Sequence, residues 1–286
     1  LGKTSTGYVL ASETCAFDTI GAEFVRDIAP GEMVTIDRNG LNFEKFAPPV
    51  PHAMCIFEFI YFARADSNLL GKNVHLVRKR LGRRLAVEHP VEADLVTGVP
   101  DSSLSVASGV AEQLGLPYEL GFNKNRYIGR TFIQPSPELR ELGVQLKLNP
   151  VRQIVAGKRV VIVDDSIVRG TTSRYIVEML RKAGAKEVHM RISSPPVIAP
   201  CCYGLEISSR TELIAARMSV DEIATNIGAD SLGFLSEEGL LAAVDLPEER
   251  FCQACFNGCY LVKPDEQWGR KDPGVESEVK KEWEVE

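Results

Sequence analysis

An apolar strand that ends in two adjacent acids and then breaks into a glycine-threonine turn leaves a chain few folds to adopt. Lys158 to Asp165 (KRVVIVDD) is such a run, Ser166 to Thr172 is the polar loop, and Ile176, Met179 and Leu180 follow at helical spacing up to Gly184. The plan recurs upstream. DLVTGVP, Asp94 to Pro100, runs into Asp101, Ser102 and Ser103, all helix-capping types, and Val106, Val110 and Leu114 then lead to Gly115. KEVHMRI, Lys186 to Ile192, supplies the next strand. Strands alternating with helices imply right-handed crossovers, an α/β parallel sheet, and a site at the strands' carboxyl ends, where both polar loops would lie.

The chemistry of the first block is specific. Loop amides, the hydroxyls of Ser166, Thr171 and Thr172 and the start of a helix together make a phosphate cradle, with Gly170 allowing close backbone approach. Two carboxylates just before it, Asp164 and Asp165, suit the hydroxyls of a sugar whose phosphate lies in the cradle, directly or through Mg²⁺. The plainer reading, that both acids cap the helix, explains one acid but not two with the loop.

The 286 residues allow one large or two modest domains, and 44% apolar content is enough for a sizeable core. The 39 acids against 33 bases give a net charge of −6, which argues against a nucleic-acid partner. No apolar run approaches the roughly 20 residues of a membrane span, and the first residues lack a signal-peptide layout, so a cytoplasmic protein is expected, or an organellar one whose targeting segment is missing. Seven cysteines, an odd number, favour reduced thiols or metal ligands over disulfides. YVLASET and EMVTI read as short strands, and FAPPVPHAMCIFEFIYFARADS as a buried strand and its exit. The last twenty or so residues read as a solvated acidic tail.

The block VIVDDSIVRGTT resembles the phosphoribosyl pyrophosphate (PRPP) motif of type I phosphoribosyltransferases. GVPDSSLSVASG, GFNKNRYIGRTFI, LKLN, RISSPPVIAPCCYG, ELIA, IGADSLGFLS and FCQACF lie in the order and approximate spacing of glutamine PRPP amidotransferases, from residue 1 to about 260. The resemblance implies a reaction: ammonia drawn from glutamine displaces pyrophosphate from C1 of PRPP, the committed step of purine synthesis. It also implies roles. Asp164 and Asp165 take the ribose hydroxyls and the Mg²⁺ shell. Ser166, Ile167, Val168, Arg169, Gly170, Thr171 and Thr172 take the 5-phosphate, and Asp101, Ser102 and Ser103 the pyrophosphate, with Ser102 a further Mg²⁺ contact. Lys124, Arg126, Tyr127 and Arg130 match a loop that closes over PRPP, with Arg130 acting in catalysis beside the two acids, although charge alone would fit a solvated loop. Lys147 falls at the PRPP site. Purine nucleotides are expected as feedback inhibitors and a homo-oligomer as the assembly.

Cys55, Cys201, Cys252 and Cys255 resemble the ligand set of the iron–sulfur branch of this family, implying a [4Fe–4S] cluster, although Zn²⁺ also accepts four cysteines. Cys15, Cys202 and Cys259 read as core or surface thiols. Two departures from the family pattern are Asn257 to Leu261, in place of a small basic sequence, and Gln145, which removes a positive charge near Lys147. The front differs most. Residues 1–45 resemble only the final strands of the family's N-terminal-nucleophile αββα glutaminase domain. Leu1 has no nucleophilic side chain, so glutamine hydrolysis is not expected from this chain alone, and a separate glutaminase portion is the expected partner. The expected division is the glutaminase remnant at 1–45, a phosphoribosyltransferase domain at 46–245, and a cluster-binding segment with the acidic tail at 246–286. Two alternatives are another type I phosphoribosyltransferase and a catalytically silent PRPP or nucleotide sensor.

Overall fold

A computed structural model of the chain describes residues 1–127, 148–204 and 209–262. Its centre is built in chain order from α1 (Val74–Glu88), β1 (Leu95–Gly98), α2 (Leu104–Leu114), β2 (Arg159–Asp164), α3 (Thr171–Lys182), β3 (Glu187–Ile192), α4 (Val220–Ile227), β4 (Ser231–Phe234) and α5 (Glu237–Val244). The four strands form one parallel sheet in the order β4-β3-β2-β1, with Val163 opposite Gly98 and Asp164 opposite Ile192. This is the α/β fold expected of a type I phosphoribosyltransferase.

Side-chain alternation along β2 explains the two layers. Val161 and Val163 join a core with Val77, Leu81, Val106, Val110 and Leu240 from α1, α2 and α5. Val160 and Ile162 face the other way, against Ile176, Leu180, Ile223 and Ile227 from α3 and α4. Burial on both faces is why Val160 to Val163 of β2 read as a continuous apolar run, whereas β3 alternates Val188, Met190 and Ile192 with the buried polar His189 and Arg191. Its carboxyl edge is then the natural place for polar groups.

The front of the chain forms a three-stranded sheet of two-residue strands, Gly2–Lys3, Tyr8–Val9 and Glu23–Phe24, and a hairpin, Glu32–Asp37 with Gly40–Lys45. The hairpin's neighbourhood leaves Met33, Ile36, Phe43 and Phe46 exposed.

The apolar stretch around residue 58 corrects the sequence reading. Only Met54–Cys55 is strand, and Glu58–Phe62 is a π-helix. Ile56, Phe57, Phe59 and Ile60 are buried while Tyr61 and Phe62 are 46% and 43% exposed, a helical rather than an alternating pattern. Composition could not separate the two, because the run is short and both conformations bury it. Among the described residues no helix is long and apolar enough to cross a membrane.

Candidate active site at the sheet's carboxyl edge

Strand β2 delivers Asp164 to the edge at 7% exposure. Its Oδ1 accepts the Asp165 amide at 2.9 Å and the Ser103 hydroxyl at 3.3 Å. Asp165 accepts Ser102 Oγ at 2.6 Å through Oδ2 and Ser166 Oγ at 2.8 Å through Oδ1. The loop after β1 and the loop after β2 therefore meet at the two acids, as the sequence motifs anticipate. Ser103 does so in an unexpected way. It stands at the N-cap position of α2 but makes no side-chain cap bond, its hydroxyl turning instead to Asp164.

Burial pushes both carboxyls above the usual carboxylate range, and the charge of Asp165 raises Asp164 further. Hydrogen bonds from Ser102 and Ser166, and the charge of Arg78, pull Asp165 the other way. Two adjacent acids held by hydroxyls, Asp164 buried and Asp165 half-buried, with no cation bonded to either among the described residues, are a donor set that fits a divalent cation. Among those residues no three His, Cys, Asp or Glu side chains could by themselves hold a metal ion. Mg²⁺ keeps waters and substrate oxygens and takes only one or two carboxylates, a number that Asp164 and Asp165 could supply.

The 166–172 loop supplies a cradle through its backbone. Ile167 is buried at 1% exposure, and the Val168 carbonyl accepts the Ile214 amide at 2.9 Å, so these two residues fix the loop. Gly170 has φ +79°, a left-handed conformation that favours glycine, and a Cβ there would push on the tip of Ile214. Thr171 and Thr172 open α3, whose first-turn amides have no intrahelical acceptor. Arg169 points away into an ion pair with Glu212 at 2.6 Å. Asp101 pairs with Lys124. Arg126 and Tyr127 are exposed, Tyr127 fully. Arg130, Gln145 and Lys147 lie outside the described residues.

The second constellation lies where Phe251–Cys252 pairs in parallel with Met54–Cys55, setting Cys252 beside Cys55. The Cys255 carbonyl accepts the amides of Ile198 and Ala199 at 3.0 and 3.1 Å, which draws in the segment carrying Cys201. Cys55, Cys252 and Cys255 each interact electrostatically with Cys201. All seven cysteines are free, and burial pushes the Cys55 thiol up to about 11 and Cys255 higher still. Burial raises Cys55, Cys252 and Cys255, and as they stand the described cysteines form no group of three that could hold a metal ion.

Sequence reasoning missed Arg78. It is 3% exposed and close enough to influence Asp165. The signal was a lone cation inside the apolar stripe Val74, Val77, Leu81, Leu85 of α1.

Residues 76–193 match the phosphoribosyl transferase domain family model. The chain is 57% identical over 264 residues to the amidophosphoribosyltransferase of Bacillus subtilis, covering 91% of this chain and 56% of that protein. With the amidophosphoribosyltransferase of Archaeoglobus fulgidus it shares 54% over 264 residues, 92% of this chain and 58% of the relative. The solved glutamine PRPP amidotransferase of B. subtilis, complexed with ADP and GMP, superposes with a TM-score of 0.85 at 56% identity, covering 93% of this chain and 59% of that one. The chain thus spans little more than half the length of the relatives it matches. By sequence and fold it is a homologue of the amidophosphoribosyltransferases over that part of their length, built around a phosphoribosyltransferase domain.

Proposed function

We propose that this chain carries the synthase site of an amidophosphoribosyltransferase, which forms 5-phosphoribosylamine and pyrophosphate from PRPP and ammonia in purine synthesis. The observation that carries the reading is the meeting of two loops at one buried acid pair: Ser102 and Ser103 from one side, and Asp164, Asp165 and Ser166 from the other, beside the start of α3. In this reading the acids hold the ribose hydroxyls, the amides of 166–172 hold the 5-phosphate, and Asp101 and Ser102 with Lys124 face the pyrophosphate, while Ser103, expected there from the sequence, is fully buried and holds Asp164 instead. Mg²⁺, held by Asp164, Asp165 and Ser102, neutralises charge on the departing pyrophosphate when bound. Departure of so charged a group from a carbon with oxocarbenium character asks the protein mainly for positioning and charge balance. Arg126, Tyr127, Arg130 and Lys147 belong to the same reading as closing and anion-binding residues.

The B. subtilis relative binds ADP and GMP. A nucleoside monophosphate carries the ribose 5-phosphate of PRPP, so purine nucleotides are proposed to compete for this cradle as feedback inhibitors. The exposed apolar side chains near the front hairpin support a glutaminase portion as the source of ammonia, with 1–45 belonging to it, 46–245 as the synthase domain and 246–286 as the cluster-binding segment and tail. Assembly as a homo-oligomer is part of the same proposal.

The test is pyrophosphate release from PRPP with Mg²⁺ in anaerobic buffer, with ammonium at alkaline pH and in parallel with glutamine. Release with ammonium and none with glutamine is expected. Release with neither, despite PRPP binding, would favour the sensor reading.

The cysteine site is proposed to hold a [4Fe–4S] cluster through Cys55, Cys201, Cys252 and Cys255. When bound, the cluster clamps the 251–257 segment to the 54–55 strand. Chain purified without oxygen is expected to contain iron and sulfide in equal amounts, and Cys255→Ser is expected to lose both and to unfold at lower denaturant. Zinc without sulfide would replace the cluster by a structural Zn²⁺ site.

A further inference from the structure

We propose that Thr97 is a positioning residue for the pyrophosphate side of the PRPP site: its buried hydroxyl fixes the start of the strand that presents Lys124 to Asp101. The inference rests on the function proposed above and assigns a part to a residue of β1 that carries no role in that reading.

Two contacts close a ring between the loop after β1 and the strand Phe122–Lys124. At one end Asp101 pairs with Lys124. At the other, Thr97 Oγ1 accepts the Gly121 amide at 2.9 Å. Asp101 follows Thr97 by four positions and Lys124 follows Gly121 by three, so short runs of chain join the two contacts. Thr97 is 1% exposed and by alternation shares the sheet face of Leu95 and Val99, which pack in one cluster with Phe122 and Leu148. The junction is tight. A Cβ on Gly121 would lie 2.9 Å from Thr97 Oγ1 and Cγ2, and a β-branched side chain in a strand has little freedom to give way.

Magnitudes decide which contact places the strand. The side chain of Asp101 is 70% exposed and that of Lys124 27%, so solvent screens their pair and it holds little by itself. The lysine ammonium also rides on a flexible four-carbon stem, and its reach is set by the backbone beneath it. The Thr97 bond is buried, and losing its acceptor costs more than losing an exposed ion pair because a buried amide is left poorly satisfied. The acceptor that would remain is the Glu119 carbonyl at 3.0 Å, in a three-residue turn of bent geometry. The Gly121 carbonyl accepts the Val151 amide at 2.8 Å, and Phe122–Lys124 pairs antiparallel with Leu148–Pro150, so the placement passes to both strands of this ribbon. Thr97 therefore sets the ribbon's offset from β1, and with it the approach of Lys124 to Asp101 and Ser102. The 5-phosphate cradle hangs from β2 and is held at Val168 by the Ile214 amide, so the two halves of the PRPP site have separate supports.

The test is calorimetric titration of the full chain, in Mg²⁺, with PRPP, pyrophosphate and ribose 5-phosphate separately. Thr97→Val, which keeps the shape and removes the acceptor, is expected to weaken PRPP and pyrophosphate about fivefold and ribose 5-phosphate less than about twofold. Thr97→Ser, which keeps the acceptor, is expected to stay within about twofold of the unaltered chain for all three. On a Lys124→Ala background Thr97→Val is expected to change the PRPP Kd less than about twofold, because its effect passes through Lys124. A merely structural role would weaken all three ligands together and act equally on both backgrounds. The proposal is overturned by a folded Thr97→Val that binds pyrophosphate normally, by equal losses in the Val and Ser variants, or by an undiminished effect in Lys124→Ala. Should Thr97→Val fail to fold, hydrogen exchange of the unaltered chain tests the bond itself: the Gly121 amide is expected to be protected, and exchange at an unprotected rate overturns the proposal. If the unaltered chain binds neither PRPP nor pyrophosphate, the functional reading and this inference fall together; if it binds both and Thr97→Val binds them equally, only this inference falls.

Discussion

Asp164→Asn is expected to remove most of the synthase turnover while making the fold more stable. The activity loss follows from the proposed role, because an amide cannot supply the charge that holds a divalent cation and the ribose hydroxyls. Removing one preorganised electrostatic group from an active site costs about 10²- to 10³-fold in kcat, and a fall of that size is the expected result in the pyrophosphate assay. The stability gain follows from burial. Asp164 is raised first by desolvation and then by its neighbour, so its ionised form is disfavoured in the folded chain. The sign is that of a raised carboxyl: its contribution to stability is fully present below the unfolded pKa and is lost as pH rises through the folded one. At neutral pH the charge therefore opposes folding. A neutral amide can still accept the Asp165 amide and the Ser103 hydroxyl. The melting temperature without Mg²⁺ is expected to rise by roughly 2–4 °C, the response of a domain of this size to about 1 kcal/mol. Saturating Mg²⁺ should narrow the difference by stabilising only the unaltered chain. A variant that melts lower than its parent would show that the carboxylate supports the fold.

The second large effect is on stability alone. Helices α1 and α2 cross backbone to backbone at two glycines. A Cβ on Gly82 would lie 2.0 Å from the Val106 carbonyl oxygen, and one on Gly109 would lie 2.0 Å from that of Lys79. The obstacles are main-chain atoms, which no rotamer change can clear, so alanine at either position forces the helices apart. Both helices carry the core under β1, and α2 also begins at Ser103, so separation loosens packing and the Asp164 contact together. Gly82→Ala is expected to lose about 3 kcal/mol in chemical denaturation, the upper range for overpacking a core. Gly7→Ala, where a Cβ meets nothing within 4 Å, is the control.

The fold was legible where pattern and chemistry agreed. VVIV is apolar on both faces because that strand is covered on both faces, whereas VHMRI alternates Val188, Met190 and Ile192 with the buried polar His189 and Arg191, and it was the strand-helix alternation that pointed to a parallel architecture. The acid pair was legible because two carboxylates before a glycine-threonine turn have no structural use that needs both. Ser103 was half legible. Its type and place were those of a cap, and only the neighbouring strand, 61 residues away in sequence, explains why its hydroxyl serves Asp164 instead. The π-helix was not legible, since a short, mostly apolar run buries equally well as strand or helix, and the bonds from Arg78 to the carbonyls of Phe59 and Ala63 are tertiary contacts that local sequence does not announce. Arg78 itself was overlooked because an arginine in a helix rich in basic residues reads as solvated surface. The pairing that sets Cys252 beside Cys55 was not legible in spacing, because it joins residues nearly 200 positions apart.

The central claim is that the buried acid pair and the adjacent cradle form one site for PRPP with Mg²⁺. The most direct test is calorimetric titration of the chain with PRPP, with Mg²⁺ and with chelator, on the unaltered protein and on the Asp164→Asn, Asp165→Asn double variant. Saturable binding at one PRPP per chain, dependent on Mg²⁺ and lost in the folded double variant, is the predicted result. Binding that persists in the double variant, or its absence from the unaltered chain, would contradict the account.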